Sequence, residues 1–168
     1  MPTCTSKLIE CIYWDCDTNV PLREIFDHLK NAHDITDEET QYEDGFITWE
    51  VVTTVEPGYI TPNIVTFQGQ TFFLQGCVAL HDMRFWVITL GASKDACNYE
   101  ISMSIQDGTE RDGFELRGRI FSIDEEKIKA PRNQEGVLKL GKAMAENFST
   151  EDADGLPVIT LDFQIIRK

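Results

Sequence analysis

Apolar residues change their spacing once along this chain. Between positions 20 and 30, Leu22, Ile25, Phe26 and Leu29 recur three and four apart, forming one stripe of a helix. Pro21 suits the first turn of that helix, where a missing N–H costs nothing, and Thr18 or Asn19 stands where a capping side chain is expected. From residue 46 onward the pattern shortens to alternating or continuous apolar runs, rich in β-branched and aromatic residues. These runs cover 46–55, ended by Glu56, Pro57 and Gly58, then 64–67, 71–80 and 84–90, ended by Gly91. Others cover 99–105, stopped at Asp107 and Gly108, and 114–123, where Gly118 is expected to form a bulge. After a broken region around Pro131, further strands are expected at 136–140 and 156–166, with a short helix over 141–148. Seven or eight short, evenly spaced strands with hardly a helix between them predict a mainly β fold, an antiparallel sandwich. The expected division is a small knuckle-and-helix module with an acidic connector over residues 1–40, and a sandwich over 41–168.

The small module carries the chemistry. Cys11 and Cys16 are followed eleven residues later by His28 and then His33, a four-ligand set of the kind a tetrahedral structural Zn2+ site needs. His28 belongs to the predicted helix. His33 lies five positions on, about 140° around at about 100° per residue, so it must come from a distorted last turn or from just beyond it. The plain alternative is two buried thiols beside two surface histidines. Scarcity argues for the metal, because two of the three histidines and two of the five cysteines fall in this one window. A fragment this small has almost no core, so metal binding would supply its folding energy.

Composition narrows the classes further. The chain has 168 residues, 42% of them hydrophobic and 26% charged, which suits one ordinary domain with a small appendage. No run approaches the ~20 apolar residues of a membrane span. The first seven residues lack the apolar stretch of a signal peptide, and an odd number of cysteines suits reduced thiols, so the expectation is a cytoplasmic protein, with the nucleus possible. Cys77 and Cys97 are expected to be small core hydrophobes, while Cys4 fits either a free thiol or the last ligand of a preceding finger. The net charge is −14, and residues 1–40 alone carry nine acidic against three basic side chains. Such a balance opposes binding to nucleic acid and to anionic lipid. Although the ligand spacing is close to that of DNA-reading fingers, the helix start offers Arg23 among Asp17, Glu24 and Asp27.

Catalytic signatures are scarce. There is no Gly-rich phosphate loop, no Gly-x-Ser-x-Gly elbow and no His-Glu-x-x-His helix. His81, the histidine left over from the metal set, precedes Asp82 at a strand end and reads as a solvated turn residue. A site closed by two cysteines and two histidines leaves no open position to activate water.

The spacing Cys11, Cys16, His28, His33, together with the run Asp27, His28, Leu29, Lys30, Asn31, Ala32, His33, resembles the second zinc finger of the seven in absentia (Siah) family. The later chain is similar to the TRAF-like substrate-binding sandwich that follows that finger. Landmarks are Pro57 and Gly58, the runs 71–74 and 85–90, Asn98 to Met103, and the terminal stretch 156–163. The resemblance implies a module that captures extended peptides of substrates or adaptors beside the first strands, and that forms a homodimer. It places candidate peptide contacts at Thr40, Tyr42, Thr61, Pro62 and Ile64. The family's RING domain and first finger are not in this sequence, so ubiquitin transfer by this chain alone is not expected. Pairing with a full-length ligase as a decoy is the alternative role.

Overall fold

The computed structural model describes residues 7–35, 40–43, 45–105, 114–125 and 136–168. Cys4, most of the acidic connector, the turn at Asp107 and Gly108, and the region around Pro131 lie outside them. The amino-terminal module consists of β1 (Leu8–Glu10), β2 (Asn19–Pro21), a 3-10 turn (Leu22–Glu24) and α1 (Ile25–His33). There follow β3 (Gln41–Glu43), β4 (Phe46–Thr54), β5 (Gly58–Phe67), β6 (Gln70–Val78), β7 (Asp82–Thr89) and the short α2 (Ser93–Ala96). The chain continues through β8 (Tyr99–Ile105), β9 (Phe114–Arg119), β10 (Phe121–Ser122) and β11 (Leu138–Gly141). It closes with α3 (Lys142–Asn147), β12 (Thr150–Glu151) and β13 (Pro157–Arg167).

The long strands form two mainly antiparallel sheets. One has the order β3-β4-β13-β8-β9, with β12 paired to β13; the other runs β10-β7-β6-β5, with β11 also on β7. Hairpins of consecutive strands (β3-β4, β5-β6-β7, β8-β9, β12-β13) are joined by pairings between distant ones (β4-β13, β13-β8, β10-β7, β11-β7), so the chain repeatedly crosses from one sheet to the other. Alternation decides which side chains face inward. On β4, Ile47, Trp49 and Val51 point into the core, and on β13, Ile159, Leu161, Phe163 and Ile165 do so. They meet Phe72, Leu74, Phe85 and Val87 of the facing sheet. Fully burying one such phenylalanine is worth about 1.5–3 kcal/mol.

β6 and β7 break the alternation, and the reason is a second core. Phe73, Trp86 and Ile88 point away from the first core, yet are 0%, 4% and 0% exposed. With Ile64 of β5, Phe121 and Ile123 they pack against Ile9, Ile12, Val20, Ile25 and Leu29 of the amino-terminal module. The module therefore covers the outer face of this sheet. Strands buried on both faces read as unbroken apolar runs, which is how 71–74 and 85–90 look in the sequence.

Several expected details differ. The predicted strand over 64–67 begins six residues earlier, at Gly58, and the register shifts between Ile60 and Asn63. Pro62, which has no N–H to give the ladder, sits in that irregularity. Gly118 holds regular register with Ile101 and forms no bulge. A Cβ there would lie 2.4 Å from the Gly136 carbonyl oxygen, so the residue is small because another backbone passes close by. The expected strand 114–123 splits. Its last residues, Phe121 and Ser122, leave β8 and pair in parallel with Ile88 and Thr89 of the other sheet. Cys77 is half-buried against the second core, but Cys97 is exposed in the turn after α2, not a core residue. His81 is exposed at a turn, as its neighbours suggest.

Candidate metal centre

A hairpin and a helix bring the four ligands together. β1 and β2 pair antiparallel, with Ile9 opposite Val20, and the residues between them form the knuckle. The Cys11 N–H donates to the Thr18 carbonyl at 2.8 Å, and the Cys16 N–H to that of Tyr13 at 3.2 Å, which folds the loop back on itself. Thr18 is thus committed to the knuckle and Asn19 to a strand, so neither caps the helix. The chain makes a 3-10 turn after Pro21, and α1 starts at Ile25 with no side-chain cap. What holds α1 is packing: Ile25 and Leu29 are 0% and 1% exposed.

His28 projects from the middle of α1 and His33 is its last residue. Asp34 then turns left-handed at φ 53°, and both its N–H and that of Ile35 bond the Leu29 carbonyl. This left-handed ending stops the helix directly after His33, so that the histidine five positions from its partner comes from the last turn. The two imidazoles meet edge to face, with centroids 5.1 Å apart.

Cys11 Sγ lies 3.5 Å from His33 Nε2, and Cys16 Sγ lies 3.5 Å from His28 Nε2. All four donor atoms fall within 4.8 Å of one another. Tetrahedral bonds of about 2.3 Å to sulfur and about 2.0–2.1 Å to nitrogen put sulfur and nitrogen about 3.5–3.6 Å apart. The residues fit: Cys11, Cys16, His28 and His33 could hold a metal ion. Both cysteines are buried, and both histidines are partly exposed.

The electrostatics favour the ligating form of one thiol. Burial works against ionisation of Cys16. The Thr18 side chain and backbone, with smaller contributions from His28 and His33, outweigh it and bring the thiol down to about 6. Around Cys11, the Tyr13 N–H donates to the sulfur at 3.4 Å. The Tyr13 ring lies flat on the His33 imidazole, centroids 4.0 Å apart and planes 12° apart.

The candidate peptide contacts divide between two edges. Thr40 is exposed just before β3, and Tyr42 lies within β3, opposite Ile47 at the outer edge of the first sheet. Thr61, Pro62 and Ile64 belong to β5, at the end of the other sheet. Thr61 is exposed and Pro62 buried, while Ile64 is fully buried beneath the amino-terminal module, where it packs. Sequence reasoning missed the side chains that join the module to the sheet, Tyr59, Gln75 and Trp86. The signal available was a glutamine inside the apolar run 72–78.

Fold and site define a mainly antiparallel β protein bearing a possible Cys2His2 metal site. Compared with protein-family models and with curated proteins, the chain matches none. Among the described residues no helix is long and apolar enough to cross a membrane.

Proposed function

We propose that this chain is a zinc-stapled binding module of the Siah type. Its TRAF-like sandwich captures extended peptide segments and pairs with a second copy, as the substrate-selecting arm of ubiquitin-dependent degradation in the cytoplasm. The observation that carries this reading is the closed four-donor cluster, with paired sulfur–nitrogen separations of 3.5 Å. Two thiolates and two imidazoles are the donor set zinc takes in structural sites, and four protein ligands leave no position for a reacting group. Zinc there supplies folding energy, about 10–16 kcal/mol for small finger modules.

Peptide capture is supported by the architecture. β3 and β5 end their sheets, and an edge strand offers a row of backbone donors and acceptors to a partner in extended conformation. A net charge of −14 favours peptides with basic residues over nucleic acid.

Elemental analysis of the purified chain, alongside sedimentation, is the first test; one zinc per chain in a dimer is expected. Amide chemical-shift mapping against a panel of extended synthetic peptides then follows. Shifts confined to β3 and β5, saturating at tens of micromolar or below, are the supporting result. Metal-free folded protein, or no peptide-induced shifts on either strand, would overturn the reading.

A further inference from the structure

Two arms reach from the sandwich to the ligand shell. Gln75, on β6 and 5% exposed, donates through Nε2 to the carbonyl of Ile12, the residue after Cys11. Its Oε1 accepts the indole N–H of Trp86 at 3.0 Å, so both ends of the amide are engaged. The Ile12 carbonyl and the Tyr13 N–H belong to one peptide plane, and in a trans peptide they point in opposite directions. Gln75 pulls on one side of that plane, and the Tyr13 N–H on the other side meets Cys11 Sγ at 3.4 Å. The second arm is a column of rings. Tyr59 of β5 stacks on Trp14 at 4.5 Å, Trp14 on Tyr13 at 5.7 Å, and Tyr13 on the His33 imidazole at 4.0 Å.

We propose that Gln75 is a positioning residue of the metal centre, and that the sandwich thereby sets how tightly the amino-terminal module holds its ion. Gln75 orients the peptide that donates to one thiolate, while Tyr59 steadies one imidazole through the column. Partners one step removed from a metal typically change its affinity 10–100-fold, because they fix the ligand's orientation and its electron density. Coupling between sites is reciprocal, so metal loading also tightens the docking of the module on β6 and β7. This extends the metal-binding reading above and rests on it.

The test uses the full chain. Zinc affinity is measured by competition with a chromophoric chelator, and ligand geometry by the absorption of the Co2+-loaded protein. Gln75→Met keeps the length of the side chain and removes both polar functions. We expect about 10–100-fold weaker zinc binding, with altered sulfur-to-cobalt charge-transfer bands. Leu161→Ala, a cavity in the core between the two sheets, should lower stability and leave affinity and spectrum unchanged. Should Gln75→Met fail to fold, Trp86→Phe carries the test; it keeps an aromatic ring in the second core, removes the N–H that the glutamine oxygen accepts, and should weaken zinc several-fold. Unchanged affinity and spectrum in the folded variant, or an equal loss in Leu161→Ala, overturns the role of Gln75. A wild-type chain that binds neither zinc nor Co2+ overturns the metal reading instead.

Discussion

The indole of Trp14 lies flat on the ring of Tyr59, with centroids 4.5 Å apart and planes within 4°. One ring belongs to the knuckle and the other to β5, and both remain about half exposed, at 42% and 49%. Water on the outer edges weakens neither the stacking geometry nor its specificity, but it limits the area gained. A double-mutant cycle on Trp14→Ala and Tyr59→Ala, read by urea denaturation, should give a coupling energy of about 0.5–1.5 kcal/mol. Additive losses would mean that the stack joins nothing.

Cys16 gives a pH dependence whose sign is fixed. Burial raises its pKa, but the bonds from Thr18, His28 and His33 win and lower it to about 6, from an ordinary 9.0. A depressed acid binds fewer protons folded than unfolded. Its contribution is therefore fully present above the ordinary value and is lost as pH falls through about 6. With metal present, affinity should fall below that pH, because ligands must shed protons to bind. Zinc titrations against a chromophoric chelator across this pH range test it, and Cys16→Ser, which has no thiol to ionise, should bind more weakly throughout.

Gly118 and Gly136 interlock. A Cβ on Gly118 would meet the Gly136 carbonyl oxygen at 2.4 Å, and Gly136 itself has φ +100°, a conformation L side chains rarely adopt. A backbone atom cannot swing aside as the end of a flexible side chain can. Gly118→Ala should therefore cost about 2–3 kcal/mol, seen as a lower urea midpoint with an unchanged slope. A loss below about 0.5 kcal/mol, the usual size at unconstrained surface sites, would show that the two segments separate easily.

The strands and the candidate metal cluster were legible in the sequence for different reasons. Alternation along residues 46–54 and 157–167 is a local signal, and each of these strands stands where the pattern puts it. The ligand set stood out because cysteine and histidine are rare in the chain. Sheet order was not legible, since β4 pairs with β13 across a hundred residues and no local pattern announces that. Nor was the docking of the module. Phe73, Trp86 and Ile88 read as strand residues whichever face they occupy, and only their burial on the outer face shows what covers them. Thr18 misled because a threonine before a proline-led helix looks like a cap, whereas here it serves Cys11 and Cys16. Gly118 misled because a glycine in a strand pattern can mean either a bulge or a close approach, and the approaching backbone, at Gly136, lies far along the chain.

Metal removal separates the two cores. The sandwich core between β4, β13, β6 and β7 contains no ligand, whereas the second core holds Cys11 and Cys16 among its buried residues. Chelation should therefore raise hydrogen exchange first at residues 8–33 and on the Ile64, Phe73 and Ile88 strand segments, leaving Leu161 and Phe163 protected. It should also increase binding of a hydrophobic dye, as the apolar outer face of the sheet is uncovered. Uniform loss of protection across both sheets would show that the ion holds the whole fold together.

Acid sensitivity of the sandwich should centre on Glu125. Its carboxylate accepts both Arg119 guanidinium nitrogens, at 3.0 and 2.8 Å, and the Ser122 N–H at 2.7 Å. Burial pushes its pKa up, but the Arg119 hydrogen bonds, the Ser122 N–H and the Arg119 charge outweigh that and hold it below the usual 4.5. The unfolded chain therefore takes up the proton first as pH falls. The stabilisation is present above about 4.5 and disappears as pH drops through the lower folded value. Arg119 is 43% exposed, so solvent screening holds the gain to about 1 kcal/mol. Glu125→Gln should be less stable than wild type by about that amount near neutral pH, and the gap should close as acid protonates the folded carboxyl. Urea midpoints for the two proteins across this range test it, and a gap that stays constant with pH would assign the loss to packing instead of charge.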